Sequence, residues 1–448
     1  MNGNVRAEVE GTAILQVIDK ALYTDRQYMR VMRRLQSNEA LAKEARGHQR
    51  IGIPYVSISF PDVGNVMPLL RCKKLFLLPM LRELLWFLSG DTTIDYLKRC
   101  NVHIWDSWVI PGTERWVPLS WNERMHIVEK RGLLEAFKAH CGEGEDADEA
   151  AAIWMTYNDI PERRLVGGDL GPVYGAQWRK QRDVQTFFTG SASPYHERDT
   201  KRYAELLAKG YVRLGDMPAG ESGYDTVVLA GYIDQLGDAL DLLERDPGSS
   251  RMVVSSWNPS QLPEMALPPC HCMFQFVVGK HPNAHLFRES DNTPHLNLDV
   301  VQRSCDWPIG ISFNWSSYAT MLKIVGAVTD FAVGGLNYTM HDVHYYSNQN
   351  DEGQLRKLDE QFDALHREVH DSHAMADTVE EAMKWLPNLR INIPEHLKAR
   401  WASEKFSYKQ KLDMFLGAVK DLPDAELLKV FEYTYEDAQP HIAFPVSK

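Results

Sequence analysis

Residues 268–277 read Pro268-Pro269-Cys270-His271-Cys272-Met273-Phe274-Gln275-Phe276-Val277. The proline pair fixes φ and disfavours helix before it, so the approach to Cys270 is expected to be extended. The aromatic and apolar run from Met273 to Val278 is typical of a buried strand. A thiol held at the start of such a strand can be activated as a nucleophilic thiolate. Taken alone, Cys270 would more often be a small buried hydrophobic residue.

A second cluster points to the same chemistry. It comprises Gln302-Arg303-Ser304-Cys305-Asp306 and Gly310-Ile311-Ser312-Phe313-Asn314-Trp315-Ser316-Ser317-Tyr318. The planar guanidinium of Arg303 suits a phosphate, and the amide of Asn314 can donate to one edge atom of a pyrimidine while accepting from its neighbour. Alone, these two residues would more often be a surface cation and a turn or cap residue. Beside Cys270 they favour the catalytic interpretation.

With these two clusters, the chain resembles the thymidylate synthase and pyrimidine hydroxymethylase family. Besides the two clusters, the matching segments are Glu83 to Thr92, Ile104 to Trp108, Gly168 to Arg179, Ala266 to His271 and His344 to Asn348. The resemblance implies an α/β fold with a large mixed sheet flanked by helices, and a homodimer formed through that sheet. It also implies one catalytic domain over residues 1–448, with helical insertions at about 109–165 and 350–425.

The resemblance implies four catalytic residues. The thiolate of Cys270 would add to C6 of a uracil ring, which makes C5 reactive. Glu83 would organise water and proton transfers near the base, and a buried carboxylate there would have a perturbed pKa. Tyr174 would help to remove the C5 proton. His271 would support bound water near the pyrimidine carbonyl, with a purely structural histidine as the alternative.

The substrate implied by the resemblance is deoxyuridylate (dUMP). Asn314 would read the N3 and O4 edge of the base, where an aspartate stands in relatives that act on deoxycytidylate; a mismatched edge would leave buried groups unpaired. His344 and Tyr346 would bond the deoxyribose hydroxyl. Arg303 and Ser304 would bind the phosphate.

Two further arginines and the co-substrate complete the implied site. Arg251 matches an arginine that reaches the phosphate from the other subunit, so the homodimer would have composite sites. Arg50 is either the mobile phosphate arginine or a solvated cation. The co-substrate would be 5,10-methylenetetrahydrofolate, with Trp105 and Trp108 as an aromatic wall and Asp306 as its hydrogen-bond anchor. The tryptophans could equally belong to the core.

The two branches of the family differ in the last step. Hydride from the departing folate gives thymidylate, whereas water gives 5-hydroxymethyl-dUMP, so exclusion of water decides the product. The chain ends in Ser447-Lys448 where synthases end in a small apolar residue. It also departs from the synthase pattern at Ser250, His341, Trp307 and Trp315. Trp105, Leu267 and His271 match the synthases. These departures favour a dUMP hydroxymethylase of the kind that bacteriophages use to make modified DNA, with thymidylate synthase as the alternative.

Composition narrows the function further. The 448 residues are 44% hydrophobic and 25% charged, which is ordinary for a globular protein, and the formal net charge is −12. This charge argues against direct nucleic-acid binding and favours a free nucleotide met by local arginines. A regulator that binds a nucleotide or RNA and kept only the fold is the non-enzyme alternative; intact Cys270, Glu83, Arg303 and Asn314 speak against it.

The six cysteines form neither a disulfide framework nor a metal-binding pattern, because Cys270-His271-Cys272 has no second ligand cluster. No metal is therefore expected, and a working thiol implies a reducing compartment. The N-terminus lacks the features of a signal peptide. The most apolar segment, Leu75 to Leu88, is too short to span a bilayer. We expect a cytoplasmic protein without membrane contact, in the host cytoplasm if the chain is encoded by a phage.

Hydrophobic periodicity gives a coarse secondary structure. Helices are predicted over 11–45, 75–88, 94–100, 228–244 and 318–333, and strands over 50–60, 249–257 and 273–278. The acidic run at 142–149 is predicted to be a solvated turn. In the second insertion, an amphipathic helix is predicted to pack an apolar stripe against the core; the stripe is Leu355, Leu358, Phe362 and Leu365.

Overall fold

The computed structural model describes residue 17 and residues 19–141, 147–188, 193, 195–217, 226–280, 293–373, 386–434 and 439–445. These residues form two compact units. The first comprises Met1–Asp91, Pro172–Pro263 and Pro268–Lys448, and the second comprises Thr92–Gly171 with Glu264–Leu267. The single catalytic domain inferred from the sequence stays a prediction.

The strands alternate with helices along most of the chain. The strands are β1 (Leu41–Ala45), β2 (His48–Phe60), β3 (Glu114–Pro118), β4 (Arg163–Gly167), β5 (Gln181–Phe188), β6 (Val212–Met217), β7 (Thr226–Ile233), β8 (Val253–Ser255), β9 (His271–Gly279), β10 (His295–Gln302), β11 (Cys305–Asp306), β12 (Ala332–Tyr346), β13 (Asn388–Ile391) and β14 (Phe431–Thr434). The helices are α1 (Tyr23–Leu35), α2 (Leu77–Leu88), α3 (Asp95–Arg99), α4 (Trp121–Lys130), α5 (Leu134–Cys141), α6 (Ala147–Tyr157), α7 (Gly175–Lys180), α8 (His196–Ala208), α9 (Gln235–Arg245), α10 (Gly310–Thr329), α11 (Gln354–His373), α12 (Glu395–Ser403), α13 (Tyr408–Val419) and α14 (Asp424–Val430). Single 3₁₀ turns lie at Asp106–Trp108, Leu262–Glu264 and Ser347–Asn350.

The first unit is built on a seven-stranded sheet with the order β1-β2-β12-β10-β9-β8, in which β11 pairs with β12. Strand β12 runs parallel to β10 and β11, and the other pairs are antiparallel. The fold predicted from the sequence, a large mixed sheet flanked by helices, is therefore confirmed. Gln302 at the end of β10 faces His271 at the start of β9, and Arg50 on β2 faces Tyr346 at the end of β12. The candidate site residues on β2, β9, β10 and β12 therefore lie at one end of the sheet.

Helix α10 is the central buried helix and packs against β10, β11 and β12. It begins eight residues before the predicted position and ends at Thr329, where Asp330 takes the left-handed conformation with φ +60°. Trp315 on this helix and Trp307, three residues before it begins, are fully buried, with ring centroids 5.4 Å apart. These two large residues therefore belong to the core.

Several predicted elements are confirmed within a few residues: the strands at β2 and β9 and the helices at α2 and α3. The helix predicted over 228–244 is wrong in its first part, because Thr226–Ile233 forms β7 and only Gln235–Arg245 is helical. Val227 and Leu229 alternate into a small core under β5, β6 and β7, so strand pairing prevails over the helical spacing.

The helix predicted over 11–45 is also wrong at its end. It stops at Leu35, and Leu41–Ala45 forms a hairpin with β2 instead. Residues 11–16 and 18 lie outside the described residues. The strand predicted over 249–257 is reduced to Val253–Ser255. The predicted acidic turn falls largely on 142–146, also outside the described residues, and α6 begins at Ala147.

Both predicted insertions contain helices. The four residues of the apolar stripe on α11 are all buried, as predicted. In the second unit, α4, α5 and α6 surround a separate small core that includes Val128, Phe137, Trp154 and Met155. Across the described part of the chain, none of the helices combines the length and the apolarity that a membrane span requires.

Candidate active site

Arg303 orders the approach to Cys270. Its Nε donates to the carbonyl of Pro269 and one terminal nitrogen donates to the carbonyl of Pro268, both at 2.9 Å. Its backbone N–H donates to the carbonyl of Cys270 at 2.8 Å. The guanidinium carbon also lies 5.2 Å from the ring centroid of Trp257. The carbonyls of both prolines thus accept from the guanidinium and hold its charge near the thiol.

The Cys270 thiol is half-buried and sits beside a tyrosine hydroxyl. The backbone N–H of Cys270 donates to the hydroxyl of Tyr174 at 2.8 Å. Burial raises the pKa of the Cys270 thiol, while the charge of Arg303 and a hydrogen bond from Tyr174 to the sulfur oppose that rise. The thiol is therefore protonated at neutral pH in the ligand-free protein, and its reactivity depends on these two neighbours.

Tyr174 is held in place by an unusual backbone turn at the start of α7. Its φ is +27°, and the next residue is Gly175, where any side chain would clash with the backbone of Phe87 on α2. The Tyr174 ring stacks on His271, with centroids 4.2 Å apart. Burial raises the pKa of Tyr174 well above its usual value. Its hydroxyl therefore stays protonated at neutral pH in the ligand-free protein and can donate a hydrogen bond.

His271 faces away from bulk water. Its Nδ1 is 2.8 Å from the hydroxyl of Tyr318 on α10, and the side chain is 8% exposed. Burial lowers the pKa of His271 to about 3. The imidazole is neutral throughout the physiological range, so it can orient a polar neighbour but carries no charge.

Asn314 is positioned by a second amide. It lies half-buried in the first turns of α10, and its Nδ2 donates to Oε1 of Gln302 at 3.2 Å. The same Gln302 oxygen accepts from the hydroxyl of Tyr338 at 2.8 Å. Gln302 Nε2 donates to the carbonyl of Ser304 at 2.9 Å, and a carbonyl can only accept, so the Gln302 oxygen must face Asn314. The Asn314 nitrogen is thereby identified, and its second hydrogen and its oxygen remain for a ligand.

Asp306 is a half-buried carboxylate at the end of β11. Gln349 Nε2 donates to both of its oxygens, at 3.2 and 3.0 Å. Burial raises the pKa of Asp306 to about 6, although Gln349, a backbone N–H and the charge of Lys73 oppose the shift. The group is therefore ionised just above pH 6 and can accept hydrogen bonds from a ligand at neutral pH.

His344 and Tyr346 lie on the end of β12. His344 Nδ1 contacts the carbonyl of Asp342 at 2.6 Å, and burial lowers its pKa. Arg50, on the neighbouring strand, forms an ion pair with Asp342 at 3.0 Å. Tyr346 is buried, and burial raises the pKa of its hydroxyl. Both predicted sugar-binding residues thus stand at the same end of the sheet as Cys270.

The comparison with known families agrees with this geometry. The family model for thymidylate synthase matches residues 26–397, which is most of the chain. The chain belongs to the thymidylate synthase family. The reaction of that family is folate-dependent transfer of a one-carbon unit to C5 of dUMP, with 5,10-methylenetetrahydrofolate as the donor. The resemblance seen in the sequence motifs is thereby confirmed at the level of the family.

The structure of this thymidylate synthase family member also reveals an arginine that sequence reasoning missed. Arg46 occupies the turn between β1 and β2 with φ +54°. Its charge lowers the pKa of Cys270, Asp306, His344 and Tyr346. Arg46 and Arg50 therefore both bring positive charge to this end of the sheet, and Arg50 also forms an ion pair with Asp342. The available sequence signal was the pair Arg46-Gly47, which forms the two-residue turn of this hairpin.

Arg251, a predicted phosphate ligand, lies away from the thiol of its own subunit. Arg251 is exposed just before β8, and Gln275 donates to the neighbouring Ser250 carbonyl. Gln275 lies five residues beyond Cys270 along β9, which corresponds to about 16 Å in an extended strand. Glu83 is half-buried on α2, and Ser304 is half-buried beside Arg303.

The predicted folate wall belongs to the second unit. Trp105 is 8% exposed and Trp108 is half-buried, and the two residues are joined by a 3.0 Å backbone hydrogen bond from the Trp108 N–H to the Trp105 carbonyl. Within the described residues, no three His, Cys, Asp or Glu side chains are grouped to hold a metal ion.

Proposed function

We propose that this protein transfers a one-carbon unit from 5,10-methylenetetrahydrofolate to C5 of dUMP through a covalent Cys270 adduct, and releases 5-hydroxymethyl-dUMP for modified bacteriophage DNA. The observation that carries the proposal is the setting of Cys270, whose backbone is held by Tyr174 and Arg303 and whose thiol is flanked by both. The protein would act in the cytoplasm, that of the host if it is encoded by a phage.

The proposed chemistry starts with transfer of the Cys270 proton to bound water and addition of the sulfur to C6. The ring becomes an enolate, and C5 attacks the methylene carbon of the folate; one of the two carbon–nitrogen bonds of that carbon breaks, and its electron pair stays on nitrogen. The C5 proton then passes, with help from Tyr174, to water organised by Glu83, and the second carbon–nitrogen bond breaks to leave an exocyclic methylene. Water adds to this methylene to form the hydroxymethyl group, and the electron pair returned to the ring expels the Cys270 sulfur. Tyr174 donates a hydrogen bond to the sulfur. This bond stabilises the thiolate before it attacks and again when it leaves C6 of the product. Glu83 would organise the proton transfers near the base.

Recognition of dUMP is assigned to six residues of one subunit. Asn314 accepts from N3 and donates to O4 of uracil, with its orientation fixed by Gln302. Arg303 and Arg46 meet the phosphate, together with Ser304. The deoxyribose hydroxyl is bonded by two further residues, His344 and Tyr346. A homodimer would bring Arg251 of the partner to the same phosphate.

The folate would meet Asp306 as a hydrogen-bond acceptor, and Trp105 and Trp108 as an aromatic wall. The product then depends on what reaches the exocyclic methylene. Ser447 and Lys448 are polar and hydrated where a dry seal would need an apolar residue, and this supports addition of water. Trp307 and Trp315 are core residues and do not contribute to this choice.

Thymidylate synthase is the second candidate. It is favoured by the described part of the C-terminal segment, where Phe444 lies 5.3 Å from the buried Lys73 ammonium and Pro445 accepts a hydrogen bond from Gln349. An apolar ring docked near Asp306 would help to exclude water and would favour hydride transfer.

One incubation separates the candidates. The protein is mixed with dUMP and methylenetetrahydrofolate, and the nucleotide product is weighed by mass spectrometry, with Cys270→Ser as the control. We expect a mass gain of one hydroxymethyl group without dihydrofolate, and loss of product in the variant. A methyl gain with dihydrofolate would identify the synthase. An absence of product from both dUMP and deoxycytidylate would support the nucleotide- or RNA-binding regulator.

A further inference from the structure

A single buried glutamine connects the C-terminal segment to the candidate folate anchor. Gln349 is fully buried and lies in the 3₁₀ turn that follows β12. Its Nε2 donates to both oxygens of Asp306 and, at 3.3 Å, to the carbonyl of Pro445. Two parts of the chain that are 139 residues apart thus meet on one amide nitrogen.

The orientation of this amide is fixed by the backbone. The N–H of Tyr346 donates to Oε1 of Gln349 at 2.9 Å. A backbone N–H can only donate, so the oxygen of the amide must face it and the nitrogen must face Asp306 and Pro445. The two amide hydrogens cannot be redirected without leaving the Tyr346 N–H unpaired in a buried place.

The rest of the described C-terminal segment follows the same surface of the first unit. The Gln439 N–H donates to the carbonyl of Arg71 at 2.8 Å, and Gln361 on α11 donates to the carbonyl of Pro440 at 3.2 Å. The ring of Phe444 lies 5.3 Å from the ammonium of Lys73. The charge of that lysine in turn acts on Asp306. Phe444 and Pro445 therefore each contact one residue that acts on Asp306, namely Lys73 and Gln349.

We propose that Gln349 is a positioning residue that ties the C-terminal segment to the carboxylate of Asp306, so that docking of the segment and presentation of this carboxylate to folate are set by one amide. The inference rests on the proposed function, because it takes Asp306 as a folate ligand. When the segment leaves, the amide loses one acceptor and its hold on the carboxylate is free to change.

The link that Gln349 makes between the C-terminal segment and Asp306, called the tie below, can be tested with a matched pair of glutamines. Gln349 and Gln361 each donate from Nε2 to a carbonyl of the C-terminal segment, but only Gln349 also donates to Asp306. Gln349→Glu keeps the shape and the acceptor for Tyr346, and places a carboxylate against two acceptors. Gln361→Glu does the same to the segment alone.

Two readouts separate attachment from positioning. The first is the rate at which carboxypeptidase trims the C-terminus of the full-length protein. The second is the KM for methylenetetrahydrofolate, compared with the KM for dUMP. We expect both variants to be trimmed faster. We expect Gln349→Glu alone to raise the folate KM, by about tenfold, with the dUMP KM unchanged within about twofold, since a hydrogen bond to a charged group is lost.

Each other outcome counts against the tie. An unchanged folate KM in Gln349→Glu, with faster trimming, would leave Gln349 as a simple attachment for the segment. Equal trimming of Gln349→Glu and the unmodified protein would overturn the attachment itself. Gln349→Met, which adds no charge, replaces Gln349→Glu if thermal unfolding shows that the buried carboxylate prevents folding. Absence of turnover in the unmodified protein would count against the proposed function, and the trimming rates together with the Kd for methylenetetrahydrofolate would then decide the role of Gln349.

Discussion

Two aspartates of the first unit, Asp234 and Asp306, are both partly buried and carry opposite pKa shifts. Burial alone would raise the pKa of Asp234, but Arg179 at 2.9 Å, the ammonium of Lys409 and the N–H of Gly237 hold it below the usual value. Asp234 also caps the N-terminus of α9. It is a structural carboxylate, fully matched by cations and donors.

Asp306 forms no ion pair with any of the described residues, and the charges of Lys73 and Arg46 only partly offset its burial. Its two oxygens accept from the neutral amide of Gln349, and burial prevails, so its pKa rises to about 6. The comparison shows how a structural carboxylate differs from one that is available to a ligand. Asp234 is paired with cations, whereas Asp306 is oriented by an amide, and its burial raises its pKa.

The largest effect on activity is expected at Asn314, whose remaining hydrogen bonds are made by the proposed substrate rather than by the protein. Asn314→Asp replaces a donor by an acceptor at the proposed O4 contact, so kcat/KM for dUMP should fall by about 10³-fold. Deoxycytidylate, which presents an amino group there, should be processed better than by the unmodified protein. Steady-state kinetics with both nucleotides measures the change.

Asn350→Asp is the matched control for this substitution. Asn350 is exposed, and its Oδ1 accepts from the N–H of Leu355, a bond that an aspartate retains. Its kinetics should equal those of the unmodified protein. If Asn314→Asp keeps full activity on dUMP, then Asn314 does not read the base and the site is organised differently.

The second prediction tests the two aspartates directly. Asp234→Asn leaves Arg179 and Lys409 without their carboxylate and should lower the free energy of unfolding by about 2 kcal/mol at pH 7.5. Asp306→Asn should raise it by about 2 kcal/mol at that pH. A carboxyl with a raised folded pKa is protonated more in the folded state between about pH 4 and 6, so its stability contribution falls as pH rises through that window.

Denaturant unfolding of the two variants at pH 7.5 and pH 5 measures these effects. The gain from Asp306→Asn should shrink at pH 5, where Asp306 is protonated in the folded protein. Activity should change in the opposite sense to stability. Folate-dependent turnover should be lost in the more stable Asp306→Asn and kept in folded Asp234→Asn. Equal destabilisation by both substitutions would remove the distinction between the two carboxylates.

The sequence predicted those parts of the fold whose pattern is local. The run that forms β9 and the apolar run that forms α2 have one periodicity each, and both lie close to their predicted positions. The segment that became β7 satisfies a helical spacing as well, and only its pairing with β5 and β6 decides between the two. Such pairing joins distant residues, so single-sequence periodicity cannot weigh it.

The same limit applies to the candidate site. Residues in contiguous motifs, such as Cys270, Arg303 and Asn314, were identified from the sequence and lie at one end of the sheet. Arg46 and Gln349 were missed, since each acts through groups far away in the chain: Arg46 through its charge and Gln349 through the C-terminal segment. Where two arginines lie four residues apart, as Arg46 and Arg50 do, only the strand register separates an ion pair with Asp342 from a cation near the thiol.

The smallest predicted effect extends the comparison to a cation. Lys323 is 7% exposed and donates to the carbonyls of Gly64 and Leu389 and to the amide oxygen of Asn388. Burial lowers its pKa to about 8, below the value in the unfolded chain. Between the two values the unfolded chain binds more protons, so stability should rise with pH, by about 1 kcal/mol from pH 8 to 9. The rise should be missing from Lys323→Met, measured as the difference between the two proteins, because other groups titrate in both. A difference that does not change over this range would mean that Lys323 is matched by its three acceptors as fully as Asp234 is by its cations.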